Sequence, residues 1–237
     1  TRELQVTNHS KSLVELAAMK GLDVIISDTN LNTTRRGNLR YDLEVLGYEV
    51  ELKLFPISIE EAFKRDEARK DTVGRKVIWD MHLRYQEQFG FMYKPNDNLP
   101  QAIIVDMDGT LSDMTGVRTP FQWDKVGNDA VNTHTKRIVQ AYADDGFEII
   151  IMSGRDGICE PETRDWLIRN EIPFDALFMR KAGDYRKDTI VKEEMFWGSV
   201  ADNWSIELAI DDRPCIIRLW RSLGLDTLCV SDPYKDF

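Results

Sequence analysis

The sequence predicts an α/β fold in which a parallel β-sheet is flanked by helices. Three observations carry this expectation. Apolar runs of strand length recur at 103–105, 147–152 and 206–210, the mark of strands buried in a parallel sheet. Segments of helical spacing separate them, giving the βαβ rhythm of crossover connections. Each run also finishes in polar residues, at the end of the strand where open α/β sheets bind ligands: Asp106 and Asp108, Ser153 to Arg155, Asp211 and Asp212.

In chain order, residues 11–20 have helical spacing through Leu13, Leu16 and Ala17, with Gly21 placed as a C-cap. Residues 23–27 read as a strand ending at Asp28, and an arginine-rich helix with Arg35, Arg36 and Arg40 follows. Residues 48–54 alternate as a second strand, so the N-terminal part also reads as α/β, without a glycine-rich phosphate loop. Residues 59–76 predict a charged helix on which Arg65 and Arg69, four apart, share a face that either clamps a polyphosphate or meets solvent. A helix over 74–89 carries the core-like stripe Trp79, Met81 and Tyr85. Two prolines and turn formers mark 95–100 as a linker, which divides the chain into domains 1–94 and 101–237. Beyond the 103–105 strand, 112–130 is an irregular excursion containing Arg118 and Trp123. Its position after the strand lets it select substrate. Helices are expected at 132–145, 161–170, 187–197 and 215–223, and further strands at 174–179 and 226–230.

Bulk properties narrow the class. The chain is 42% hydrophobic and 30% charged, enough for a buried core, and no stretch approaches the ~20 apolar residues of a membrane span. Three cysteines without C-x-x-C spacing indicate neither a disulfide framework nor a structural zinc site and fit a reducing cytoplasm. The net charge of −10 divides into −1 over residues 1–98 and −9 over 99–237. Broad, non-specific nucleic-acid binding is therefore not expected, because neutralising phosphates needs a basic patch. Any nucleic acid must be gripped locally.

The strand ends point to one chemistry. Asp106 and Asp108, one residue apart, would raise each other's pKa unless a divalent cation or an anion-transfer role offsets the repulsion. Gly109 and Thr110 supply a turn and a hydroxyl. Ser153 can donate to a phosphoryl oxygen, Arg155 can hold a phosphate bidentately, and Lys192 offers a point charge against a developing negative charge. Asp211 and Asp212 add hard oxygen ligands suited to Mg²⁺. Each piece has a bland alternative: an acidic turn, an i,i+4 surface pair of Asp188 with Lys192, an N-cap. In this order they resemble the haloacid-dehalogenase-like phosphohydrolases, with Asp106 as nucleophile, Asp108 as acid and base, and Mg²⁺ held by Asp106, Asp108, Asp211 and Asp212.

A finer resemblance covers nearly the whole chain. It rests on segments 25–32, 106–111, 153–155, 183–188 with 191–194, and 209–213. These are similar to the phage-type polynucleotide 5′-kinase/3′-phosphatases. The resemblance implies a dehalogenase-like (Rossmannoid) sheet preceded by part of a P-loop-kinase-like α/β domain. It adds Arg118 and Asp188 to the phosphatase site, and places Asp28 on the kinase substrate side with Arg65 and Arg69 against ATP phosphates. The implied substrate is a nucleic-acid 3′ end, RNA or DNA. ATP enters only with a phosphate loop that residues 1–237 lack, so no kinase activity is expected of them alone. A homo-oligomer is compatible with the resemblance, and no membrane is involved. A nucleotidase or small-molecule phosphatase of the same superfamily is the alternative, and a non-catalytic binding module a third reading.

Overall fold

In the computed structural model, residues 2–27, 31–55, 57, 59–89 and 92–231 are described, apart from the side chains of 2–9 and 60. The chain forms two compact units, 1–88 and 89–237.

Within the first unit, the helices are α1 (Arg2–Met19), α2 (Thr33–Val45), α3 (Ile59–Glu67) and α4 (Arg75–Phe89, whose last residue falls in the second unit). Asn32 caps α2, its side-chain oxygen accepting from the Arg35 amide at 2.9 Å. Among the described residues of this unit no strand forms, so the strands expected at 23–27 and 48–54 are absent. Among the described residues neither segment pairs with another as a strand, and Ile25 is 94% exposed. Alternating residues specify a face, whereas a strand also needs a partner for its backbone. The helix expected over 59–76 likewise stops at Glu67. The Asp66 carboxylate accepts from the Val73 and Gly74 amides, both at 3.0 Å, and Gly74 takes φ +88°, so the chain reverses there.

The second unit is built on a five-stranded parallel sheet of order β5-β4-β1-β6-β7. Its strands are β1 (Gln101–Val105), β4 (Glu148–Asp156), β5 (Ala176–Arg180), β6 (Ser205–Asp211) and β7 (Thr227–Cys229). A two-stranded ribbon, β2 (Ser112–Asp113) with β3 (Ala130–Val131), follows β1. Helices α5 (Thr133–Asp144), α6 (Glu160–Arg169), α7 (Asp188–Met195) and α8 (Pro214–Ser222) cross over between strands. β1 is central and buried on both faces. Ile103 and Val105 pack with Val139, Trp166 and Leu167 on one side, while Ala102 and Ile104 pack with Phe196, Leu219 and Trp220 on the other.

The segment before β1 belongs to this core. Tyr93 is buried, its hydroxyl donates to the Trp204 carbonyl at 2.9 Å and accepts from the Ile206 amide at 2.8 Å. Among the described residues no helix is long and apolar enough to cross a membrane.

Candidate active site

Parallel register brings the strand ends together. Val105 pairs with Ile151 on one side and Ile210 on the other, so Asp106, Ser153 and Asp211 leave the sheet along one edge. The Asp106 amide donates to the Ile210 carbonyl at 3.0 Å, which holds the first carboxylate beside β6. Gly109 turns the chain there with φ +81°. A Cβ at that position would lie 2.1 Å from Asp212 Oδ2, so only glycine admits the Asp212 carboxylate.

Two carboxylates share one ammonium, and a third lies beside them. Lys192 Nζ, wholly buried, donates to Asp106 Oδ1 at 2.6 Å and to Asp211 Oδ2 at 2.7 Å. Ligand atoms of Asp106, Asp211 and Asp212 all lie within 4.8 Å of one another. Asp212 Oδ1 and Thr110 Oγ1 are buried with no hydrogen-bond partner among the described residues. Burial pushes Asp106 up to about 7, with Asp211 and Asp212 adding to it and Lys192 opposing. Asp212 is likewise raised to about 7, first by burial and then by Asp211. Burial disfavours the Lys192 charge, but Asp106 and Asp211 outweigh it and raise its pKa. The cluster holds more negative charge than one lysine neutralises, and its unpartnered oxygen fits a divalent cation.

Asp108 sits in different company. Arg118 Nη2 donates to Asp108 Oδ1 at 2.5 Å and Arg155 Nη2 at 2.6 Å. Burial works to raise the Asp108 pKa, but the two guanidiniums and Ser112 overcome it and hold the carboxyl below its ordinary range. Behind the arginines stands Asp129, its side chain buried, accepting from Arg118 Nη2 at 2.8 Å and Arg155 Nη2 at 2.7 Å. Trp166 Nε1 donates to the Asp129 carbonyl at 2.8 Å, which fixes its backbone.

A third group closes the site. Arg180 Nη2 donates to Asp188 Oδ1 at 2.8 Å, and Arg213 pairs with Asp188 Oδ2. A Cβ on Gly154 would lie 2.2 Å from Asp188 Oδ1, so glycine lets the Ser153–Arg155 turn approach the start of α7. Asp188 and Lys192 are therefore not a surface pair: one meets arginines, the other the carboxylates.

The structure thus brings Asp106, Asp108, Thr110, Arg118, Ser153, Arg155, Asp188, Lys192, Asp211 and Asp212 to one edge of the parallel sheet and the segments flanking it. It does not bring Arg65 or Arg69 onto a shared helical face. Arg65 pairs with Glu61 at 2.8 Å on α3, and Arg69, beyond the helix end, with Asp71 at 3.2 Å, both exposed. Such pairs contribute about 0.5 kcal/mol or less. Asp28 lies outside the described residues. Asp129 and Arg180 join the site without any expectation from sequence, because neither belongs to a motif and each acts through a partner distant in the chain.

The family of polynucleotide kinase PNKP phosphatase domains matches residues 100–237. The chain belongs to that family. Its C-terminal unit is accordingly a dehalogenase-like phosphatase domain, a phosphomonoester hydrolase. A relative from Autographa californica nuclear polyhedrosis virus, named as a candidate bifunctional polynucleotide kinase/RNA ligase, is 30% identical over 235 residues, 96% of this chain. The chain spans only 34% of that relative's length. Two solved structures of a Pnkp1/Rnl/Hen1 complex, one described as an RNA repair complex, are similar at 26% and 27% identity. Each has a TM-score of 0.58 and covers 99% of this chain, and 81% and 80% of the matched chains.

Proposed function

We propose that this phosphatase domain removes 3′-phosphates from nucleic-acid ends through an aspartyl-phosphate on Asp106, as part of an end-healing repair enzyme. The observation that carries the reading is the buried cluster of Asp106, Lys192, Asp211 and Asp212 at the end of β1, set beside Asp108 with its two arginines. Asp106 attacks the phosphorus, Lys192 and the Thr110 and Ser153 hydroxyls steady the phosphoryl oxygens, and Asp108 donates a proton to the leaving sugar oxygen. Arg118 and Arg155 favour the ionised form of Asp108, which suits its second task of taking a proton from the hydrolytic water. Its first task needs the arriving phosphate to compete for those guanidiniums. Asp188, through Arg180 and Arg213, holds the start of the helix that delivers Lys192.

Mg²⁺ is the cation proposed, held by Asp106, Asp211, Asp212 and the backbone carbonyl of Asp108. When bound it screens the charge between carboxylate and phosphate. Asp106 and Asp212 have folded-state values near 7, above their ordinary 3.8, so the folded protein holds extra protons between those values. Stability falls as pH rises through that window, the loss being complete above about 7. Mg²⁺ should therefore raise Tm more at pH 8 than at pH 5. An equal rise at the two pH values contradicts the assignment.

The direct test is phosphate release from an oligonucleotide bearing a 3′-phosphate, with Mg²⁺ or EDTA. Metal-dependent release from the 3′-phosphate, with little from a 5′-phosphate, is expected. Turnover of small phosphomonoesters alone moves the protein to the nucleotidase reading. In a longer protein carrying a phosphate loop, ATP-dependent 5′-hydroxyl kinase activity accompanies this function, and a homo-oligomer is compatible with it. A reducing, cytoplasmic setting is proposed from the sequence, whose three cysteines have no C-x-x-C spacing.

A further inference from the structure

Between β2 and β3 the chain crosses the site and is pinned at several points. Arg118, whose Nη2 contacts Asp108, also donates through Nη1 to the Thr119 and Pro120 carbonyls at 3.4 and 3.3 Å. The Thr119 amide donates to Gln122 Oε1 at 3.0 Å, closing a turn. Arg169 Nη2 donates to the Gly127 carbonyl at 2.6 Å, and Asp129 is buried beneath. The peptide that leads into Phe121 is thus anchored to the guanidinium that meets the acid–base carboxyl.

Phe121 is 82% exposed. Its ring packs perpendicular to half-buried Trp123, with centroids 6.1 Å apart and planes at 89°, and at that exposure a face of Phe121 remains open whichever ring presents its edge. A lone exposed aromatic is ordinary on a protein surface. This one lies three residues from Arg118, whose guanidinium joins the Pro120 carbonyl to Asp108 in the site.

We infer that Phe121 is a specificity-determining residue, its open face stacking on the nucleobase of the 3′-terminal nucleotide whose phosphate reaches Asp106. The inference rests on the 3′-end reading given above. Two considerations select this occupant. Residues 99–237 carry a net charge of −9, so this unit gains little from a substrate's backbone phosphates and needs an uncharged contact to hold a nucleic-acid end. Stacking is such a contact, and because every base has a π-face it accepts any terminal base, as an end-healing phosphatase requires.

The test compares two 3′-phosphorylated oligonucleotides, one with an ordinary terminal nucleotide and one whose terminal nucleotide is abasic. The wild-type protein should show a KM about fivefold or more lower for the base-bearing end. In Phe121→Ala that preference should collapse to near unity, in Phe121→Trp it should persist, and in Tyr185→Ala, which alters another exposed aromatic of the same unit, it should persist as well. An equal KM for the two substrates with wild type, an undiminished preference in Phe121→Ala, or its loss in Tyr185→Ala alone overturns the inference. Wild type that turns over a small phosphomonoester but neither oligonucleotide overturns the 3′-end reading itself, and this inference with it.

Discussion

Asp106→Asn loses phosphate release by about 10⁴-fold or more in kcat while keeping its fold. The substitution is isosteric, and an amide oxygen at the same place still accepts from Lys192, which stands 2.6 Å from Asp106 Oδ1. What disappears is the nucleophile, since a neutral amide does not displace an alkoxide from phosphorus. Removing one of three adjoining carboxylates also relieves repulsion, because burial together with Asp211 and Asp212 is what lifts the Asp106 pKa. Tm of the metal-free variant should therefore equal or exceed that of wild type. Circular dichroism melts and kcat on a 3′-phosphorylated oligonucleotide check both halves. Residual activity within tenfold of wild type would falsify the nucleophile assignment.

Asp129→Asn should lower Tm by about 10 °C and kcat by about 100-fold or more, although Asp129 does not face the reacting phosphate. Its carboxylate and that of Asp108 together balance Arg118 and Arg155, and the side chains of Asp129 and both arginines are shut off from solvent. Taking one partner from a buried ion network costs about 3–5 kcal/mol, because the remaining charges have no water to replace it. With Asp129 neutral, both guanidiniums turn their charge onto Asp108 and hold it ionised more firmly, which impairs proton donation to the leaving oxygen. A variant with wild-type Tm would show that the pair of arginines needs no second anion. Wild-type kcat with a lowered Tm would make Asp129 structural alone.

The candidate site was legible in the sequence because the residues proposed to perform its chemistry sit at strand ends. A short apolar run has one exit, and whatever follows it is delivered to the sheet edge. Asp106 and Asp108, Ser153 and Arg155, and Asp211 and Asp212 could be read that way, and the parallel order of β4, β1 and β6 brings the three exits together. Gly109 and Gly154 are legible as turn residues, but their need is set by the Asp212 and Asp188 carboxylates against which a Cβ would collide.

The N-terminal unit marks the other side of the matter. Residues 48–54 have the alternation of a strand, yet alternation is a property of one segment and a ladder is a property of two. Arg65 and Arg69 share a face only if the helix continues, and the Asp66 carboxylate stops it by accepting from Val73 and Gly74.

By itself the sequence determined the α/β class of the C-terminal unit, the order of its strands along the chain and the carboxylate, hydroxyl, arginine and lysine groups of its site. These follow from local periodicity and from what each strand ends in. Only the tertiary structure decided that Lys192 joins Asp106 to Asp211 while Asp188 turns to Arg180 and Arg213, and that Asp129 stands behind both arginines that touch Asp108. Those choices balance buried charges contributed by separate elements. A sequence states which charges exist, and only the fold states which of them share the same dry space.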